Sequence, residues 1–392
     1  MDIDVEPGDE PAGPLSGLRV LEVGGIGPLP FAGMMLGEMG AEVVRIDRPR
    51  PEPLYAADPS ADLLNRGKRS VMLDLKRQDA RHVLLELVRT SDVLIEGFRP
   101  GTAERLGFGP DVCRGIRPDL VYGRMTGWGQ TGPLAGRAGH DLNYIGVSGA
   151  LAGIGEAGGA PQIPLNLVGD FGGGALYLVA GVLAALVDAS RTGRGRTVDA
   201  SIVDGTSHLM LSALALGQVG WWSTSRGMNL LDGGAPFYRV YPTSDGGHMT
   251  VAAIEAQFFA ELIDALELPF DPARQYDRAR WPELERLLRA AFASRTQAEW
   301  SERFAGSDAC VWPVLDAERA SRHPHLQDRR TYAVAEDRLQ PSPAPRFDGA
   351  TPRVPPAFAP GRDTVAVLSS AGLDAEALIA SGAAFEKYAL DN

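Results

Sequence analysis

From Leu18 to Val23 the chain reads Leu-Arg-Val-Leu-Glu-Val, a short apolar-rich run closed by Gly24-Gly25-Ile26-Gly27-Pro28. Such a run, bounded by turn residues, predicts a buried strand. Met34, Met35, Leu36 and Met39 follow at helical spacing and stop at Gly40, predicting a helix whose methionines face a core. Glu42-Val43-Val44-Arg45-Ile46 then predicts a second strand, leading into Asp47-Arg48-Pro49. A strand, helix, strand unit implies a parallel sheet. The pattern recurs, with strands expected at 71–73, 92–96, 120–124 and 198–202 and helices at 78–89, after Gly174 to about 188, and at 207–217. In an open parallel sheet, the loops leaving the carboxyl ends of the strands bind ligands.

The pattern changes near Trp221. Paired strands are expected at 238–242 and 248–253, then helices around 258–266, 281–293 and 298–304. The fold class is therefore α/β: a large Rossmann-like domain over 14–220 with a parallel sheet, and a smaller α+β domain over 221–330. Residues 331–344 read as a linker within a proline-rich stretch, and 1–13 as a flexible acidic tail.

Composition narrows the functional classes. A net charge of −12 over 392 residues excludes a nonspecific nucleic-acid binder, which needs a basic footprint. Two cysteines, Cys113 and Cys310, give no metal-ligand spacing or disulfide framework, and suggest a reducing, cytoplasmic setting. The acidic start is unlike a secretory signal. The apolar run 171–187 carries four glycines and falls just short of membrane-spanning length, so no membrane partner is expected.

Candidate chemistry gathers between Gly139 and Gly174. His140 stands beside Asp141, and Asp170 stands just before Gly172-Gly173-Gly174 and an expected helix. A base, an acid and a helix N-terminus suggest proton movement with stabilisation of developing negative charge. Asp170 is as plausible a helix N-cap as an acid. Two anion sites also suggest themselves. The loop after the first strand imitates a dinucleotide fingerprint, but Pro30 replaces its third glycine, and Pro28 and Pro30 lack the amides that would face a pyrophosphate. Asn65-Arg66-Gly67-Lys68-Arg69 is either an exposed basic turn or a phosphate site. With Arg48, Arg99 and Arg105 in or near other loops, these cations could converge on one polyphosphate.

Several long motifs resemble the family III CoA transferase (CaiB/BaiF) superfamily, and specifically its alpha-methylacyl-CoA racemase branch. They include Val-Val-Arg-Ile-Asp-Arg-Pro at 43–49, Asp-Val-Leu-Ile-Glu-Gly-Phe-Arg-Pro-Gly at 92–101 and Gly-Arg-Met-Thr-Gly-Trp-Gly-Gln at 123–130. Ala-Gly-His-Asp-Leu-Asn-Tyr at 138–144, Asn-Leu-Val-Gly-Asp-Phe-Gly-Gly-Gly at 166–174 and Leu-Asp-Gly-Gly-Ala-Pro-Phe-Tyr at 231–238 continue the series. The resemblance implies that the C-terminal segment 345–392 completes the large domain, and that two chains interlock as a homodimer. It implies an acyl-CoA substrate, no separate cofactor, no metal, and a place in fatty acid and lipid metabolism. CoA would be held by Arg48, Asn65, Arg66, Lys68, Leu94, Arg99, Arg105, Gly139, Asp141 and Tyr144.

The superfamily holds two chemistries. In the transferases an aspartate at the Asp141 position attacks the thioester. Gly-His-Asp and Gly169-Asp170 instead resemble the racemases, where a histidine and an aspartate exchange the α proton. The expectation is a racemase with His140 and Asp170 as opposed acid/base groups, an enolate held by amides at the start of the helix after Gly172-Gly173-Gly174, and Glu255 fixing His140 from the partner chain. Asp141 becomes an orienter. A transferase with Asp141 as nucleophile, and a noncatalytic acyl-CoA-binding protein, are the alternatives.

Overall fold

The computed structural model describes residues 13–50, Asp58, 61–350 and 353–388. The expected acidic tail up to residue 12 and most of the loop 51–62, considered as a border of the acyl site, lie outside the described residues.

The chain runs β1 (Arg19–Val23), α1 (Pro28–Glu38), β2 (Glu42–Asp47), β3 (Arg69–Leu73), α2 (Gln78–Arg89), β4 (Val93–Glu96), α3 (Thr102–Arg105), α4 (Pro110–Ile116), β5 (Val121–Thr126) and α5 (Asp141–Val147). A π-helical stretch, Leu167–Ala175, leads without a break into α6 (Leu176–Thr192), then β6 (Thr197–Ser201) and α7 (Ile202–Leu209). Next come α8 (Leu211–Gln218), β7 (Tyr238–Pro242), β8 (His248–Ala252), α9 (Ala256–Ala265), α10 (Trp281–Phe292), α11 (Gln297–Phe304), β9 (Val311–Pro313), α12 (Ala317–Ser321) and α13 (Pro324–Asp328). The hairpin β10 (Tyr332–Ala335) and β11 (Arg338–Pro341), then α14 (Thr364–Ser370), α15 (Ala375–Ala380) and β12 (Ala384–Phe385), complete it.

These elements form two compact units: 1–148, 165–209 and 327–392 in the first, 149–164 and 210–326 in the second. In the first, seven strands align in the order β12-β3-β2-β1-β4-β5-β6, all parallel except β12, which pairs antiparallel with β3. Side chains alternate across the sheet because the strand period is two. Val20, Val43 and Val93 enter the core beneath α1 and α6, while their neighbours Leu21, Val44 and Leu94 enter the opposite core with α2 and α14. The last strand, β12, is seated when Asp74 and Met72 amides take acceptors at Ala383 and Thr364, joining the C-terminal segment to the sheet.

The second unit packs α9, α10 and α11 on a three-stranded antiparallel sheet around Phe237, Tyr241, Phe259, Leu288 and Phe292. Residues 149–164 belong to it: Arg226 donates to the carbonyl of Ala152 at 2.7 Å and to that of Gly159. The helix expected at 207–217 is two helices separated at Met210, where the first unit ends. Residues 331–344, expected as a linker, instead carry the β10–β11 hairpin.

Candidate active site

The order β3-β2-β1-β4-β5-β6 reverses direction between β1 and β4, and the loops leaving those two strands diverge there. A cavity of about 510 Å³ opens at that point, walled by Gly25 to Leu29 after β1, Gly97 to Arg99 after β4 and Met125 to Trp128 at the end of β5. Gly139, His140, Tyr144 and Asp170 line the same cavity, with Arg48 and Arg137. The two ends of the stretch from Gly139 to Gly174 thus meet at one site.

His140 precedes the first turn of α5 and is solvent-exposed; its amide donates to Asn143 Oδ1 at 3.1 Å. Tyr144, one turn on, donates its hydroxyl to the Gly139 carbonyl and stands edge-on to Trp128 at 4.8 Å. There is no room for a larger residue at Gly127, where a Cβ would lie 2.0 Å from the Tyr144 ring. Asp170 is half-buried in the π-helical stretch. One oxygen accepts from Asn166 Nδ2 at 3.3 Å, and the carboxylate rests against Gly27, whose φ of 63° favours glycine. Burial raises its carboxyl above the usual range, Asn166 opposes this, and the negative charge of Asp141 adds to it.

Asp141 does not line the cavity. Its carboxylate is buried, and Oδ1 accepts the Asp170 amide at 2.7 Å and also the Gly169 amide. Oδ2 has no partner among the described residues. Burial raises this carboxyl too, the two amides opposing.

The expected roles of Asp170 and the glycines need correction. Asp170 is not an N-cap, because the helix begins three residues earlier at Leu167. Gly172, Gly173 and Gly174 lie inside it and serve packing: a Cβ at Gly173 would fall 2.4 Å from Thr206 Oγ1, and one at Gly205 would fall 1.9 Å from the Gly173 carbonyl. They are not terminal amides awaiting an enolate.

The cation cluster also divides. Arg66 is buried, paired with Glu38 at 2.5 Å and donating to Gln340 Oε1 and the Pro341 carbonyl at 3.1 and 3.0 Å. Lys68 is buried on Glu22 at 2.8 Å, on the Pro30 carbonyl at 2.8 Å and on Asn65 Oδ1 at 2.9 Å. Burial lowers its ammonium to about 8, with Glu22 opposing. Asn65 also donates to Asp62 at 2.6 Å. Arg66 and Lys68 are committed to the fold because Glu38 on α1 and Glu22 on β1 meet them, and Asn65 is held between Asp62 and Lys68. Leu94 is wholly buried in the sheet core, so its side chain reaches no ligand. Arg105 is exposed, donates to Thr102 at 2.8 Å and lines neither cavity at the strand ends.

A second cavity of about 510 Å³ shares Gly25, Arg48 and Phe98 with the first. It is lined by Arg45, Arg50 and Lys76 as well, against Asp47 and Asp74, so cations outnumber acids over the ends of β2 and β3. Arg48 and Arg99 therefore remain at the ligand end of the sheet. Phe98, Trp128, Arg50 and Lys76 were not singled out from sequence; their position directly after strand ends was the available signal. Glu255 lies in the second unit, exposed, at the residue before α9. The loop before it is held by Tyr276 Oη and Gln275 Nε2 on the Ile254 carbonyl at 2.7 and 2.8 Å. Among the described residues no cluster of three or more metal-ligating side chains occurs.

Residues 15–364 match the model of CoA-transferase family III. The chain is 42% identical over 370 residues to the alpha-methylacyl-CoA racemase of Mus musculus, covering 93% of this chain and 95% of the relative. It is 43% identical to that of Homo sapiens over 343 residues, with 87% and 88% covered. An acetyl-CoA:oxalate CoA-transferase of Acetobacter aceti is 31% identical over 361 residues, covering 87% of this chain and 90% of the relative. Among solved structures, a CAIB/BAIF family protein from Brucella suis superposes with a TM-score of 0.79 at 25% identity, covering 92% of this chain and all of that one.

Proposed function

The chain belongs to CoA-transferase family III, and we propose that it works as an alpha-methylacyl-CoA racemase, interconverting the (2R) and (2S) thioesters. The observation that carries this reading is the disposition of three side chains. His140 and Asp170 face one cavity, while Asp141, the residue a transferase would need as nucleophile, is turned into the protein.

In the proposed reaction one group removes the α proton as the Cα–H bond breaks, and the electron pair moves into the thioester carbonyl to form an enolate. The other group returns a proton to the opposite face. Imidazole suits the base because histidine titrates near neutral pH. Asp170 suits the donor because burial keeps its carboxyl protonated to higher pH than an exposed one. In the reverse direction the roles exchange. The reaction moves only a proton, so it calls for no cofactor besides the CoA carried by the substrate. We assign the nucleotide end of CoA to the cationic cavity and the thioester to the cavity holding His140, with Arg48 serving both.

We further infer a cytoplasmic homodimer in which Glu255 of one chain orients His140 of the other. Support comes from the resemblance to the racemases and from the exposed apolar side chains that flank the site in the first unit, including Val147, Leu165, Leu167 and Leu209.

Incubating a (2R)-2-methylacyl-CoA in deuterated water tests the reading: deuterium should enter the α position without any acid acceptor. His140→Ala and Asp170→Ala should each lower inversion by about 10²–10⁴-fold. Normal racemisation by both variants, or CoA migration to a free acid instead of α exchange, would overturn it.

A further inference from the structure

We propose that Asp141 is a positioning residue: its buried carboxylate seats Asp170 by its own backbone, and the same seat withholds Asp141 from attack on the thioester. The inference rests on the racemase reading above. Asp141 Oδ1 takes the amides of both Asp170 and Gly169, the first at 2.7 Å. Those amides lie near the start of the π-helical stretch, where the first turns have no intrahelical acceptor of their own. A side-chain acceptor 29 residues away supplies it, so the orientation of Asp170 depends on α5, the element that His140 immediately precedes. One short helix therefore presents the histidine and fixes the aspartate.

The carboxylate has no freedom to turn outward while this seat is occupied. A Cβ at Gly169 would lie 2.2 Å from Asp141 Oδ1 and 2.8 Å from Ile145, so glycine at 169 is what lets the carboxylate approach the amides. Oδ2, which has no partner among the described residues, is buried too, so attack on a thioester would require the whole carboxylate to turn toward the cavity and Oδ1 to leave its two N–H donors.

The seat also has an electrical consequence. The groups acting on Asp170 are Asn166 from the start of its own element, His140 before α5, and Asp141 within α5. Tyr144 on α5 and Arg99 after β4 stand at the same cavity. Of these, Asp141 contributes a like charge behind Asp170, favouring the protonated form.

Asp141→Asn keeps an acceptor oxygen for the two amides but removes the charge. Asp141→Ala removes both. Gly169→Ala keeps the charge but crowds the oxygen off its seat. In the full-length protein, α-deuterium exchange of 2-methylacyl-CoA across about pH 5–9 should separate these effects. Asp141→Asn should retain most of kcat, with the limb of the pH profile that Asp170 controls displaced to lower pH. Asp141→Ala and Gly169→Ala should lose about tenfold or more in kcat with little change in KM, their circular dichroism unchanged.

A pH profile of Asp141→Asn that superimposes on the unaltered protein, or an Asn variant no better than Ala, overturns the seat while leaving the racemase reading intact. Absence of exchange in the unaltered protein overturns the racemase reading itself. CoA transfer to a free acid that vanishes in Asp141→Asn would restore Asp141 as a nucleophile and overturn both.

Discussion

The most informative residues are charges placed inside apolar strands. Glu22 stands opposite Arg45 in the β1–β2 register, and Glu96 stands opposite Arg124 in the β4–β5 register. Glu22 is wholly buried, bonded to Arg45 and to Lys68, and Arg45 also donates to Asp47 at 2.8 Å and to the Gly25 carbonyl at 3.3 Å. This hub holds the wall of the candidate site from behind. Gly33 is the opening in α1 that accommodates it: a Cβ there would lie 1.8 Å from Glu22 Oε2. Gly33→Ala should therefore destabilise the protein by about 2–4 kcal/mol, read from chemical denaturation, because a buried charge must leave its partners. A neutral effect would show that Glu22 is not confined.

Glu96 provides a pH-dependent test of the same principle. It accepts the Phe98 amide at 2.7 Å and Arg124 Nε at 3.1 Å, yet burial raises its carboxyl to about 7. The folded protein thus binds a proton here that the unfolded chain releases near 4.5. Its contribution to stability is full below about 4.5 and is lost as pH rises through about 7, amounting to about 3 kcal/mol. Glu96→Gln should remove that component, flattening the stability profile between those values. An unchanged profile would mean that Arg124 keeps Glu96 ionised. Charges in these strands were legible in the sequence, but their partners were not, since register is a property of the sheet. Arg66 and Lys68 likewise read as an exposed basic turn or a phosphate site, because the acids that bury them lie 28 and 46 residues away in sequence.

At the scale of elements, the apolar runs were sufficient to place β1, β2, β4 and β5 within a residue or two, because strands covered on both faces are continuously hydrophobic. The loop resembling a dinucleotide fingerprint was informative about architecture: the sheet has the corresponding strand order. Glycine runs were less legible. A glycine before an apolar helix signals either ligand approach or helix packing, and only the crossing partner decides. Here α7 crosses the π-helical stretch so closely that Gly205 meets the Gly173 backbone. Gly205→Val should displace the stretch that carries Asp170, lowering exchange and thermal stability together. A loss of stability without loss of exchange would separate the crossing from the site. The β10–β11 hairpin escaped notice because its strands are only four residues each and lie within a proline-rich segment.

For the whole molecule, the exposed apolar surface bears directly on the proposed dimer. In the first unit Leu165, Leu167, Leu176, Val187 and Leu209 are exposed, Leu165 by 70%. In the second, Leu211, Leu214, Val219 and Trp221 are exposed, Trp221 by 74%. Scattered exposed leucines need no explanation, but this many between 165 and 221 leave apolar faces for a partner to cover. The continuous helix Leu167–Thr192 is also long and apolar enough to cross a membrane by length and composition. Its Leu178, Val179, Val182 and Ala185 are buried in the sheet core, however, which commits one face to the fold. A second copy of the chain is the occupant that also explains Glu255, whose proposed partner is His140 of the other chain. Leu167→Asp and Leu209→Asp should therefore halve the sedimenting mass and lower α exchange about as far as Glu255→Gln does. Binding of the unaltered protein to neutral lipid vesicles, with no change of mass in the aspartate variants, would assign those faces to lipid. A variant that becomes monomeric yet exchanges normally would leave the active site complete within one chain and remove Glu255 from it.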